Sequence, residues 1–307
     1  MTLTWLWALF VLLTGGLLAI DLGLLQRTAH AMRMREAAVM TTLWALLALS
    51  FCGVIAWAYG HDKAMQFLAG YILEQSLSVD NLFVFILIFH YFRIPSQDQP
   101  RILHWGILGA IVMRFFFLFA GLSLLKAFAF MFYVFGAILL WTGGKMLLSG
   151  DNDAPEPGKN PALRLLHKML PVTPDFHGQD FFTRSAAGLC ATPLLAALVV
   201  IEASDLIFAV DSIPAALGVT NDLLVVYTSN IFAVMGLRSM YFLLAGSMMK
   251  FRHLKTGVSV VLGFVGLKMI AKDFLHISTG VSLAVIAGAL ALSIAASIIL
   301  KPAEKET

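Results

Sequence analysis

The stretch "EASDLIFAVDS", residues 202–212, decides how this chain is read. It lies inside an apolar segment from about Ala186 to Val219 and puts three carboxylates, Glu202, Asp205 and Asp211, where lipid or packed side chains belong. A near-echo, "LEQSLSVDNLFVF" (73–85), is also apolar and carries Glu74 and Asp80. Working outward, hydrophobic residues make up 60% of the 307 and charged residues 13%, with a mean hydropathy of +0.86. Soluble domains carry about twice that charge fraction. The composition therefore implies one polytopic membrane protein rather than two soluble domains. No basic tract suited to nucleic acid is present. Two cysteines, Cys52 and Cys190, lie in apolar runs without CxxC spacing, which excludes a disulfide scaffold or a cysteine-rich metal site.

A membrane-crossing helix needs roughly 20 apolar residues. Nine windows qualify, at about 5–25, 38–59, 64–90, 102–125, 128–148, 186–212, 223–248, 257–272 and 279–300. "IPSQDQP" (94–100) and "GVTND" (218–222) supply turn chemistry between them. The longest polar break, Ser149 to Arg184, opens on "GDNDAPEPGKNP", a linker composition, and contains a candidate surface helix at "PALRLLHKML" (161–170).

Lys and Arg set the orientation. Alternate loops hold fourteen positive residues (among them Arg27, Arg33, Arg35, Arg93 and Arg101) against three, Lys63, Lys126 and Lys272. The positive-inside rule then places the N-terminus in the periplasm and the C-terminus in the cytoplasm, as an odd number of spans requires. No positive residue precedes the first span and arginines follow it, the reverse of a cleaved signal peptide. Asp21, near the inner end of that span, reads as an interfacial or capping residue.

The two acid motifs belong to a repeat. With Asp80-Asn81 aligned on Asp211-Ser212, Glu74 meets Asp205, "VMRFFFLFAG" (112–121) meets "GLRSMYFLLAG" (236–246), and "TGGKML" (142–147) meets "VGLKMI" (265–270). Each copy has three spans, so the second enters from the opposite side, an inverted-topology repeat of the kind that places a substrate site near the midplane. The expected fold is all-α, with about nine transmembrane helices and two inverted three-helix repeats. Its parts are residues 1–62 (two N-terminal spans), 63–148 (first repeat), 149–185 (cytoplasmic linker), 186–273 (second repeat) and 274–307 (last span and tail).

A charge at the bilayer centre costs at least about 2.5–3.5 kcal/mol. Five acids (Glu74, Asp80, Glu202, Asp205, Asp211) face four cations (Arg114, Arg238, Lys145, Lys268). Register-fixing salt bridges are one reading, but desolvation makes such pairs poor stabilisers. Lys145 and Lys268, near span ends, suit snorkelling; Arg114 and Arg238 are placed to compensate the acids. The remaining polar groups, Ser76, Ser78, Asn81, Ser204 and Ser212, are oxygen donors, and hard oxygen ligands suit Mg, Ca or Mn. Pro214 removes the helical partner of the Val210 carbonyl, adding an oxygen or merely kinking the helix.

One regular helix cannot aim every acid at one ion, since Asp80 lies about 120° around the helix from Glu74. Either the helices break near Pro214, or one acid per repeat binds while others pair with arginine. Asp80 and Asp211 are the favoured ion ligands, with Glu74, Asn81, Glu202, Asp205 and Ser212 as further candidates. Neighbouring acids cannot all stay ionised once a metal leaves, so protons would replace it. The eight histidines fall in loops or at span ends and form no site.

"EQSLSVDNLFVF", "IEASDLIFAVDSIPA", the paired arginines and "GGKML" resemble the TerC family of integral membrane proteins, most closely its Alx-like branch, over nearly the whole chain. The family is similar to LysE-type exporters and is linked to tellurite resistance, alkaline conditions, a redox role and manganese homeostasis. The resemblance implies a bacterial inner-membrane Mn2+ exporter; the residues alone reach a divalent-cation site within inverted repeats. No catalytic site and no permanently bound cofactor are expected; the expected partners are the divalent ion and membrane lipid, with no nucleic acid. The alternatives are a membrane-bound redox modulator, thinly supported by two isolated thiols, and a membrane scaffold or sensor working through the 149–184 loop.

The orientation is testable: reporter fusions within Ser149–Arg184 should read cytoplasmic and those beside Lys63 or Lys272 periplasmic. The opposite pattern would overturn both the orientation and the repeat built on it.

Overall fold

The computed structural model describes residues 2–20, 34–148, 157–176, 178–185, 188–245, 254–275 and 277–299. Asp21, the expected span ends at 21–25, 246–248 and 300, and the tail at 301–307 lie outside the described residues, as does the side chain of Asp80 within its helix.

Among the described residues ten helices follow one another: α1 (Thr2–Ile20), α2 (Met34–Tyr59), α3 (His61–Tyr91), α4 (Gln99–Ala127), α5 (Met131–Leu148), α6 (Pro161–Met169), α7 (Pro193–Val219), α8 (Leu223–Ala245), α9 (Leu254–Ile270) and α10 (Thr279–Ile299). Seven of them, α2–α5, α7, α8 and α10, are long and apolar enough to cross a membrane; α9 and the apolar part of α1 (Thr4–Ala19) are shorter. Length and composition therefore support seven of the nine expected crossings.

Both ends of the sixth expected span, 186–212, are corrected. An antiparallel hairpin, β1 (Phe182–Ser185) and β2 (Gly188–Ala191), pairs Phe182 with Ala191 and Ser185 with Gly188. The sixth expected span therefore starts at Pro193 rather than 186, because "GLCA" is apolar strand and a short apolar run does not distinguish strand from helix. Gly188 has φ +105°, a conformation a side chain would strain. Nor does Pro214 break the helix: α7 continues to Val219. Within the linker, α6 forms where expected. Asn160 caps it by accepting the Ala162 N–H at 2.9 Å, Pro161 suits the first turn, and Leu163 and Leu166 are buried. The hairpin and linker are tied together where Thr192 donates to the Asp180 carbonyl at 2.7 Å and the Thr173 N–H to the Ala191 carbonyl at 2.9 Å.

The packing pairs helices reciprocally: α3 lies along α8, α4 along α7, and α5 along α9. The last seam is close enough to exclude side chains. A Cβ on Gly136 would lie 2.8 Å from the Gly266 carbonyl oxygen, and one on Gly143 would lie 2.9 Å from that of Ser259. In the alignment of "TGGKML" on "VGLKMI", residue 143 corresponds to 266 and 136 to 259, so each contact maps onto the other. α8 is the innermost helix, buried from Leu224 to Ser239. Beside it, α2 contributes Phe51 to a cluster with Phe10, Phe67 and Phe232.

One polar knot pins the end of this bundle. In the α7–α8 turn Asp222 caps α8, accepting the Leu224 N–H at 3.1 Å, and receives the Tyr59 hydroxyl at 2.6 Å and the Lys63 ammonium at 2.9 Å. Burial pushes its carboxyl up, but the hydrogen bonds from Tyr59 and Lys63 and the lysine charge outweigh burial and hold it below its ordinary value. A depressed carboxylate contributes stability that is complete above its unfolded value, near 4, and is lost as pH falls through the lower folded value. Asp222→Asn should therefore lower stability by about 1 kcal/mol at pH 7, and the gap to the parent should close below about pH 4. Thermal melts in detergent across pH 3–8 check this; a gap constant down to pH 3 would contradict it.

A buried ion cluster at the helix crossing

The centre of the bundle is a three-charge cluster. Glu74 on α3, Arg114 on α4 and Asp205 on α7 each lie within two residues of the midpoint of their helix. All three are buried, Glu74 and Arg114 completely. The guanidinium grips Asp205 with two donors, Nη2 to Oδ1 at 2.9 Å and Nε to Oδ2 at 3.4 Å. Its Nη1 bonds both the Glu74 carboxylate and, at 3.0 Å, the Asn230 Oδ1 from α8. The fork geometry of arginine lets one cation join four helices through four directed hydrogen bonds, one more than an ammonium can donate.

The cluster does not close on itself. Two carboxylates share one cation, and Glu202, one turn before Asp205 on the same face of α7, adds a third acid nearby. Gly109 on α4 makes room for it: a Cβ there would overlap the Glu202 carboxylate. Several buried polar atoms also make no hydrogen bond within the described structure, namely Glu74 Oε2, Gln75 Oε1, Ser78 Oγ, Ser212 Oγ and Asn230 Nδ2. Four of these five are oxygens. Ser78, one turn from Glu74, and Asn81, a further turn on, are buried along the same side of α3. The donor set suits a hard cation or protons. No group of three or more His, Cys, Asp and Glu residues with metal-ligand geometry occurs among the described residues.

The other candidates are spread out. Asp211 sits half-buried against α5, accepting the Thr142 hydroxyl at 2.9 Å, on a groove otherwise lined by apolar residues including Trp141 and Val210. It lies some 120° around α7 from Asp205, so the Arg114 cluster does not include it. Arg238 is buried on α8, two turns beyond Asn230. Lys145 is exposed near the end of α5, as a snorkelling residue would be, and Lys268 is partly buried near the end of α9. Of the two ways offered for reconciling the acids with helical geometry, the structure has acids paired with an arginine rather than a broken helix. Asn230, Thr142 and Gly109 were not singled out from sequence. The run Thr228-Ser229-Asn230 inside an apolar helix was the available signal for the first.

A membrane bundle organised around intramembrane acids and arginine is thus the class that fold and site define. A family model for the integral membrane protein TerC family matches residues 59–305, and the chain belongs to that family. It is 48% identical to "Uncharacterized membrane protein STKORF319" of Myxococcus xanthus, over 96% of this chain and 92% of that protein. It is 45% identical to "Putative membrane-bound redox modulator Alx" of Escherichia coli, over 94% and 92% respectively. It is also 45% identical to "Thylakoid membrane protein TERC, chloroplastic" of Arabidopsis thaliana, over 81% of this chain and 64% of that one. No solved structure matches it.

The cluster makes a stability prediction. Arg114→Met strands two buried carboxylates and should cost about 3–5 kcal/mol. Adding Glu74→Gln and Asp205→Asn to it should restore most of that loss, since neutral groups no longer need the cation. Melting temperatures and detergent-extracted yield of the single and triple variants check the order. A single variant as stable as the parent would mean that the cluster is not held by its charges.

Proposed function

We propose that this chain carries a divalent cation across the membrane, with Mn2+ export as the reading its family likeness favours. The observation that supports it most is the pair of buried carboxylates held by Arg114 at the helix midpoints, beside buried oxygen atoms that make no hydrogen bond among the described residues. Such charge at bilayer depth is costly, and a cation or protons would compensate it. The reciprocal packing of α3 on α8, α4 on α7 and α5 on α9 suits two inverted repeats, with the site at their interface. Glu74, Ser78 and Asn81 would offer oxygens from the first repeat, with Asp80 beside them on α3. Glu202 and Ser212 would offer them from the second, and Asp211, on another side of α7, would meet the ion elsewhere on its path. Arg114 holds the paired acids in place while the ion passes. Because the acids cannot all stay ionised when the cation leaves, its exit would draw protons in, making the carrier an antiporter.

The name of the Alx relatives offers a redox role instead. In this chain Cys52 lies on α2 and Cys190 on β2, neither of them in a disulfide. Replacing both with Ser should leave a cation carrier active and silence a thiol-based redox protein.

The decisive measurement is Mn2+ flux in vesicles reconstituted with purified protein. Asp80→Asn, Glu202→Gln and Asp211→Asn each remove one negative charge and keep nearly the same shape. Each should fold stably and transport at least roughly tenfold more slowly, the scale of one lost charged ligand interaction. Transport should also follow an imposed pH gradient. Normal flux in all three stable variants, or no flux in the parent, would end the cation reading.

A further inference from the structure

Where α7 turns into α8, the bundle opens into a cavity of about 440 Å³ whose chemistry is opposite to that of the buried cluster. It is lined by Lys63 from the first turn of α3, Lys268 from the last turn of α9, Lys272 just beyond it, and the Gly218–Asp222 turn. Two of these three lysines are among the three positive residues on the sparsely charged face of the sequence. That face therefore gathers its charge at one place rather than spreading it over headgroups.

Local packing explains the convergence. Gly218 lets α7 end directly against α9, since a Cβ there would lie 2.6 Å from Val265 and 3.0 Å from the Met269 sulfur. That contact brings the lysine-bearing end of α9 to the α7–α8 turn.

The anionic side of the cavity is already used. Among the described residues Asp222 is the one carboxylate in the lining, and its oxygens are occupied by Tyr59, Lys63 and the start of α8. Asp273, next to Lys272, is outside the lining and accepts the Tyr133 hydroxyl at 2.6 Å. Two positive charges are thus left in excess. Lys272 lies over the Phe132 ring at 3.4 Å, and a lysine near the α9 C-terminus also favours that helix dipole. One cation suffices for the dipole, and the turn brings neutral donors as well. The Thr220 hydroxyl donates to Gln66 Oε1 at 2.6 Å, which leaves the Gln66 amide hydrogens available, and Asn221 lines the opening.

We propose that this cavity binds a phosphate-class oxyanion through Lys268 and Lys272, with Gln66 and Asn221 as neutral donors. The geometry fits either inorganic phosphate or the phosphodiester of an anionic lipid headgroup, and both offer the same oxygens. The inference does not depend on which solute crosses the membrane.

Equilibrium dialysis of the full-length protein in neutral detergent with radiolabelled inorganic phosphate tests the free ion. Co-purification from vesicles of phosphatidylglycerol and phosphatidylcholine, followed by lipid analysis, tests the headgroup. At least one probe should bind, and Lys268→Gln/Lys272→Gln should weaken it by about tenfold or more while the protein still melts cooperatively. Lys126→Gln, on the same face but outside the cavity, should leave binding unchanged. Phosphate binding with no lipid preference would identify a free oxyanion; enrichment of phosphatidylglycerol that is lost in the double variant would identify a headgroup. Binding of neither probe by the parent, or equal loss in Lys126→Gln, would overturn the proposal. Should the double variant fail to fold, Gln66→Leu replaces it, and unchanged binding there and in Asn221→Ala would overturn the proposal equally.

Discussion

The structure depends on one guanidinium. Arg114 joins α4 to α3, α7 and α8 at their middle, and no apolar packing could hold those four helices in so definite a relation. In a membrane the lipid chains are as apolar as leucine, so sequestering hydrophobic side chains gives helices little reason to prefer one neighbour over another. A buried arginine with two carboxylates does give such a reason, because every wrong arrangement leaves a charge without a partner. Glu74 and Asp205 belong to the two halves of the chain, so their shared cation is also what brings the halves together.

The buried acidic cluster and the lysine-lined cavity divide the charge of the molecule into two regions of opposite sign. The midpoints of α3 and α7 are acidic and deep; the α7–α8 turn and the end of α9 are basic and open to one face. Steric close approach makes both. Gly109 admits the Glu202 carboxylate, and Gly218 draws α9 onto the turn. Small residues here set where charge can stand.

Much of this was legible in the sequence. Long apolar windows separated by Pro, Gly and Asn marked the helices, and the acids of "EASDLIFAVDS" and "LEQSLSVDNLFVF" stood out because nothing around them was polar. Arg114 was recognisable as a compensating charge for the same reason. The β1–β2 hairpin was not legible, since "GLCA" is as apolar as the helix it precedes. Pro214 was ambiguous because a proline removes one hydrogen bond without saying whether packing will carry the helix past it, and here it does. The partition of acids was hidden for a different reason. Helical spacing sets the angle between Asp205 and Asp211, but only neighbouring helices decide that one meets Arg114 and the other Thr142. Asn230 stood in a polar run inside an apolar helix, but its role and that of Gly109 were hidden because an amide and a missing side chain acquire meaning only from what faces them.

The lengths of the charge-bearing helices carry a last consequence. At about 1.5 Å per residue, the 31 residues of α3 span about 46 Å, the 29 of α4 about 43 Å and the 27 of α7 about 40 Å, against roughly 30 Å of hydrocarbon. Rods this long accommodate the excess by leaning or by standing proud of the hydrocarbon at their ends. Glu74, Arg114 and Asp205 touch near the middles of these rods. A midpoint does not change depth when a rod leans about it, so the ionic layer keeps its level however far each helix tilts.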